Sequence, residues 1–518
     1  MIKYLLIPLV LVSSQLKSQN VGIGVATPSN RLHVVAPTDP LRLEGLQSGA
    51  VTDSFVTVNS LGIVRQRSIT LGGTGWAITG NAGINAATNF LGTLDNTPLI
   101  FRTNNQRSGL IDPDGGRRNN AIGNRALNTT LTGTANNAMG YVALTNISSG
   151  FGNIALGDSS TYTLTSGSGN IGIGTAALAS INTATGNVAI GNNALKNTVS
   201  SENIGIGNLA ASANTSGSNV LAIGAGALQN NQSSFTQLAI GNNALQQIIS
   251  GIENVALGYN AGTSLTSASS NVLLGHYALS SATTASNNTV VGHNAGLAYI
   301  GTGSTNNTYV GYQAGLSQTA GTGNTFIGTA VDLSGTTNVS NSSALGQGVQ
   351  ITASNQVRIG NTSVNSIGGQ VAWTTFSDAN IKSNIREDIP GLAFIMRLRP
   401  VSYNYDLTKL QKLQGTKPTA ENAAEARIAP KKFTGLLAQE VEQAAIATQY
   451  DFSGIDKPTN EHTPYGLRYS EFVAPLIKAI QEMKALIDQQ QKEIEALRKL
   501  VETPLPKEEF LKSPLLRQ

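Results

Sequence analysis

The sequence predicts a mainly β protein: a stacked parallel β-roll solenoid of about 17-residue coils, then a small α+β domain and a C-terminal coiled-coil helix. Three observations predict it. A short apolar phrase returns at a near-constant step, the composition breaks near residue 370, and an alternating four-three spacing of apolar residues follows Pro475.

The phrase reads NVAIGNNAL at Asn187–Leu195 and QLAIGNNAL at Gln237–Leu245. Its Gly falls at 123, 140, 157, 174, 191, 207, 224, 241, 258, 275, 292, 311, 328, 346 and 360, mostly in steps of seventeen. The residue before each Gly is Ile, Leu, Val or Met, and two residues earlier stands another mostly apolar one, as in Ile154/Leu156 and Val188/Ile190. Apolar residues at period two define a short strand. Asn153, Asn170, Asn187, Asn203, Asn254 and Asn271 open the strands, placed to form amide ladders along the stack. The Gly supplies a tight bend with positive φ. The run after it (NNAL, YNAG, HNAG) reads as a second small-residue strand, followed by a Ser/Thr/Gly/Asn turn. At ~4.8 Å per rung, fifteen rungs make a rod of roughly 70 Å. The residue between the two apolar positions is small at Ala121, Ala189, Gly205 and Ala256, then becomes Leu273, Val290, Tyr309 and Phe326. A strand apolar on both faces is covered on both; one face lines the coil and the other meets a partner subunit.

Aromatic residues make up 5% of the chain and charged residues 12%, with 56 Gly. So few large side chains bury well only in a stack. Between Asn119 and Gln370 the charged residues are Arg125, Asp158, Lys196, Glu202, Glu253, Asp332 and Arg358. Glycan hydrolysis needs two neighbouring carboxylates, and these four acids are scattered among well-separated coils. His276 and His293 share a slot and stack, but Tyr259 and Tyr312 occupy that slot in other coils, which marks a surface position rather than a metal pair. No cofactor or metal is called for. The net charge of +4 is spread rather than gathered into one basic run, which argues against nucleic acid, and no nucleic-acid partner is expected. There is no Cys, hence no disulfide framework.

The domain order expected is a signal peptide at 1–18, short β segments at 19–118, β-roll repeats at 119–370, a compact domain at 371–475, a coiled coil at 476–502 and a tail at 503–518. Lys3 precedes an apolar run from Tyr4 to Val12, about half the ~20 residues a membrane span needs. The mature chain is expected to be secreted or at the cell surface, without a transmembrane anchor.

The seam after Pro475 comprises Leu476, Ile480, Met483, Ile487, Gln490, Ile494, Leu497 and Val501. Its Ile/Leu choice leans to two strands by the rule for parallel dimers, and the polar Gln490 leans to three.

The repeated phrases resemble the head repeats of trimeric autotransporter adhesins, which are parallel β-rolls packed about a threefold axis. The repeat here is longer, and no membrane-anchoring β-barrel follows it. Before the rod, NVGIGVATPSNRLHV and WAITGNAGINAATNFLGTLDNTPLIFRTNNQRSGLI alternate apolar and polar residues with Gly/Asn turns, and they resemble N-terminal segments of bacterial surface and phage-tail fibre proteins. Beyond Gly360 come Ser377-Asp-x-x-x-Lys382, Leu398-Arg-Pro-Val-x-Tyr403 and Gly435-Leu-x-Ala-Gln-Glu-Val441. In that order they resemble the intramolecular chaperone domain of phage endosialidase tailspikes, a self-cleaving peptidase family. The resemblance implies a homotrimer, Ser377 as nucleophile, Lys382 as its general base and Phe376–Ser377 as the bond cut. It also favours three strands in the coiled coil.

Residues five apart share no helix face, so the dyad lies on a bend or pairs across chains. A free lysine holds its proton to ~10.4, and burial lowers that value; cleavage is therefore expected to wait for assembly. Asp378 is expected to cap the following turn, and Gln439 and Glu440 to pack or hydrogen-bond on a helix. The whole reads as a homotrimeric fibre for adhesion or surface display, with an unknown surface receptor or glycan. The alternatives are a phage-derived tail fibre, or a fibre that keeps its chaperone uncut.

Overall fold

The computed structural model describes residues 21–23, 32–34, 55–58, 60–61, 64–67, 85, 90–113, 117–128, 131–336, 338–415 and 430–502. The expected signal peptide and C-terminal tail lie outside them. The chain divides into two units, 1–92 and 93–518. In the first, Val21–Ile23 pairs in parallel with Leu32–Val34, and Phe55–Val58 pairs antiparallel with Val64–Arg67.

The second unit opens on an antiparallel hairpin, Leu99–Thr103 with Gln106–Ile111. Asn104 and Asn105 turn it at φ 48° and 57°, the two positive values that a tight hairpin turn demands. Its second strand pairs antiparallel with Asn120–Ile122 and so covers the first edge of a solenoid of about 14 turns. From there each coil adds one three- or four-residue strand in parallel register, Ile171-Gly172-Ile173 lying on Val188-Ala189-Ile190, and so on to Val357–Ile359.

The small middle residue of each strand points into the coil. Ala155, Ala189, Ala222, Ala239 and Ala256 are fully buried, as are Leu273, Val290, Tyr309 and Phe326. The larger Ile, Leu and Val on either side face outward, and Met139, Leu257 and Leu345 are about half exposed. The interior is filled from the opposite arm by Leu144, Leu178, Leu195 and Leu245. Where the strand residue grows, that arm shrinks: a Cβ on Gly262 would come 2.6 Å from Leu273, and one on Gly296 3.0 Å from Tyr309. Volume is conserved across the coil rather than at each position.

That arm is not the second strand expected. It is a run of turns in which alternate residues take positive φ, such as Asn193 at 55° and Leu195 at 47°. Its amides still bond to the next rung, as from Leu195 N–H to the Ala210 carbonyl at 2.9 Å.

Two columns of residues hold the register. Buried asparagines donate rung to rung: Asn153 to the Asn136 oxygen, Asn170 to Asn153 and Asn187 to Asn170, at 2.9–3.1 Å. The ladder breaks where Val220 and Gln237 stand in its place, and resumes with Asn271 donating to Asn254. The marker glycines form the other column. Gly241 has φ 132°, and a Cβ there would lie 2.4 Å from the Gly258 carbonyl oxygen; both backbone angle and closeness exclude a side chain.

After the last rung the chain runs exposed from 364 to 388. The small α+β domain that follows has helices α1 (Leu392–Ile395), α2 (Leu407–Leu413), α3 (Ala438–Ala447) and α4 (Val473–Glu502). Phe394 is fully buried at the centre of its core, with ring centroids 5.1 Å from Phe452 and 5.3 Å from Tyr450. α4 begins two residues before Pro475, which sits in the first turn, where its missing N–H leaves no bond unmade. Glu482 on α4 accepts the Leu392 amide at 2.7 Å and pins α1 to the long helix. On both sides of that contact the expected seam is solvent-exposed: Ile480 at 64%, Ile487 at 52% and Leu497 at 61%. Among the described residues no helix is long and apolar enough to cross a membrane.

Candidate active site

Ser377 and Lys382 are brought together by a single 3₁₀ turn, Ala379–Ile381. Asp378 stands before it and accepts from the Asn380 amide at 2.8 Å and from its side chain at 3.0 Å. The Lys382 amide closes the turn onto the Ala379 carbonyl at 3.3 Å. In 3₁₀ geometry three residues make one revolution, so the residues flanking the turn meet across it. The Lys382 ammonium Nζ donates to Ser377 Oγ at 2.8 Å. Of the two arrangements open from spacing, a bend or a pairing across chains, the bend is present within one chain, and Asp378 serves as its cap.

The surroundings are open. Phe376 is 90% exposed, Ile381 69% and Trp373 87%. One copy of the chain thus places a serine hydroxyl beside a lysine amine and leaves both, with Phe376, open to solvent.

The other two motifs are joined to each other rather than to this turn. Val401–Tyr403 pairs antiparallel with Phe433–Gly435. Arg399 grips Glu440 through both ends of its fork, Nε donating to Oε2 at 3.2 Å and Nη2 to Oε1. The hydrogen bond from Arg399 holds the Glu440 carboxyl below its usual range. Gln439 lines a cleft of ≈ 690 Å³ with Tyr403, Tyr405, Tyr465 and Tyr469. Tyr469 OH accepts the Leu436 amide at 3.0 Å. Arg399 had no assigned partner in the sequence; its place beside Pro400 in the second motif, opposite the acid of the third, was the available signal.

On the shaft, Tyr259, His276, His293 and Tyr312 form one exposed column with centroid spacings of 6.2, 6.2 and 5.5 Å, as their shared repeat phase predicts.

These motifs and the 3₁₀ turn lie in one continuous stretch. Residues 377–450 match the family described as chaperone of endosialidase. The match opens on Ser377 itself. No curated protein matches the chain. The chaperone domain thus follows a β-solenoid shaft, and the tether from 364 to 376 joins the two.

Proposed function

We propose that this protein is a secreted, homotrimeric fibre displayed at a surface, whose chaperone domain aligns three chains and then cuts itself from the shaft at Phe376–Ser377. The expected domain limits carry over: signal peptide at 1–18, shaft at 119–370, chaperone at 371–475 and coiled coil at 476–502. The observation that carries the reading is the 2.8 Å contact of Lys382 with Ser377 at the first residue of the family match.

The chemistry is an acyl shift followed by hydrolysis. With Lys382 neutral, its Nζ takes the Ser377 hydroxyl proton while Oγ attacks the Phe376 carbonyl carbon. The Phe376–Ser377 C–N bond breaks, and the same proton passes to the departing amine. Water then opens the ester, leaving a Phe376 carboxylate, a free Ser377 hydroxyl and a new N-terminal amine. Lysine serves as a base only when desolvated, and in one chain both groups are exposed. Packing of neighbouring copies would supply that burial. Their association is supported by the bare α4 seam and by the apolar residues facing outward from the shaft.

Purified full-length chain tests this. Expected is a fragment with Ser377 at its N-terminus by mass spectrometry, absent from Ser377→Ala. An intact wild-type chain that is demonstrably trimeric would mean the domain assembles the fibre without cutting it.

A further inference from the structure

We infer that the chaperone domain is held on the shaft by a docking surface independent of the tether, so that a cut in the tether leaves the domain in place as a cap. The tether is exposed throughout. Attachment comes instead from the loop Asn460–Thr463, far along the chain, which closes on the last coils of the solenoid. Asn460 Nδ2 donates to the Thr352 carbonyl at 2.7 Å, and the Thr463 hydroxyl lies 3.2 Å from the Thr352 hydroxyl. The loop is braced to present these groups: the His462 amide and the Thr463 hydroxyl both donate to Asn460 Oδ1, at 2.9 and 3.0 Å.

Thr352 follows Gln350–Ile351, the later strand of the final pair on its side of the coil. On that side of the coil the Ser334 amide bonds up to the Ile351 carbonyl at 2.9 Å, and no later strand among the described residues pairs with Gln350–Ile351. The Thr352 carbonyl takes its donor from the Asn460 side-chain amide instead. Thr352 is fully buried, and an unmet buried carbonyl is disfavoured, so the loop acts as a surrogate rung over an edge that would otherwise be open.

His462 completes the contact. Its Nδ1 lies 2.9 Å from the Leu413 carbonyl, and its ring rests on Gly335 of the shaft, where an added Cβ would come within 2.0 Å. A second cleft of ≈ 440 Å³ lies between Arg358, Asn361 and Thr362 of the shaft end and Tyr405, Leu410 and Phe433 of the domain.

The test cuts the tether from outside, and so does not depend on self-cleavage. In a Ser377→Ala chain, a recognition site for a sequence-specific protease replaces residues 369–373. After complete cutting, the C-terminal fragment is expected to co-elute with the shaft in size exclusion under native conditions and to separate in denaturant. The same cut in Asn460→Ala/His462→Ala/Thr463→Ala is expected to release the fragment. Gly335→Ala, which changes only the shaft, is expected to release it too, separating loss of docking from misfolding of the domain. Separation of the parent chain on cutting overturns the inference. So does co-elution of both variants, which would place the attachment elsewhere.

Discussion

Lys382 reaches Ser377 at 2.8 Å over a turn whose Asn380 amide is already held by Asp378. The geometry is thus local and independent of partners, while the burial that would activate the amine is not. Lys382→Arg keeps the charge and the reach but cannot deprotonate. It is expected to lower fragment release by at least ~10²-fold, the scale of a lost general base, with trimer mass unchanged.

If burial by neighbours is required, breaking the seam stops cleavage at a distance. Ile487→Asp places a charge on an α4 position about half exposed in one chain and unfavourable in any apolar seam. The expected outcome is loss of threefold mass in light scattering together with loss of the Ser377 fragment. A monomeric variant that cleaves at the wild-type rate would refute assembly gating.

The glycine column can be tested by contrast within one fold. Gly241→Ala drives a Cβ to 2.4 Å from the Gly258 carbonyl oxygen and should fray the stack, seen as lost amide-exchange protection in adjacent rungs. Gly152 also has positive φ, at 66°, but nothing lies within 4 Å. Gly152→Asn should therefore stay within about 1 kcal/mol of the parent, because Asn tolerates that region.

The ladder offers a third site. Asn170 Oδ1 accepts both the backbone and side-chain amides of Asn187, at 3.0 and 3.1 Å, and its own amide meets Ala184 at 2.9 Å. Asn170→Ala strands these buried groups and should destabilise the shaft by about 3 kcal/mol, at ~1–3 kcal/mol for each unmet group. Thermal unfolding of the two chains checks it.

Acid should loosen the chaperone domain. Hydrogen bonds from Arg399, Lys457 and the Lys409 amide hold Glu440, Glu442 and Asp406 below the ordinary carboxylate range. Their contribution is present above the unfolded values near ~4 and is lost as pH falls through the lower folded values. Asp406 is exposed and Glu440 and Glu442 are only partly covered, so the effect is small and screened by salt. Exchange protection of Ala438–Ala447 is expected to hold steady from neutral pH to about 5 and to drop below about 4. Glu440→Gln should flatten that drop.

The shaft was legible because its Gly and Asn recur in phase with contacts that demand those residues. Which strand face turned inward was not. Two large apolar residues flanking Ala189 suggest by size that they fill the core, yet the coil is thin and Leu195 already occupies it. The turn arm escaped because Leu195 at φ 47° is a conformation the stack imposes on a residue that rarely adopts it alone. At the dyad, spacing narrowed the options and Asp378 signalled the turn. The meeting of Asn460 with Thr352 lies 108 residues apart in the chain and leaves no periodic trace.

Each glycine rests on its counterpart directly above, so a coil senses only its two neighbours. Duplicating or deleting one phrase among the similar rungs between Asn137 and Asn203 would move the two ends by one strand spacing, ~4.8 Å, and leave every other contact intact. The molecule is in this sense a ruler, whose reach is written in the number of its graduations.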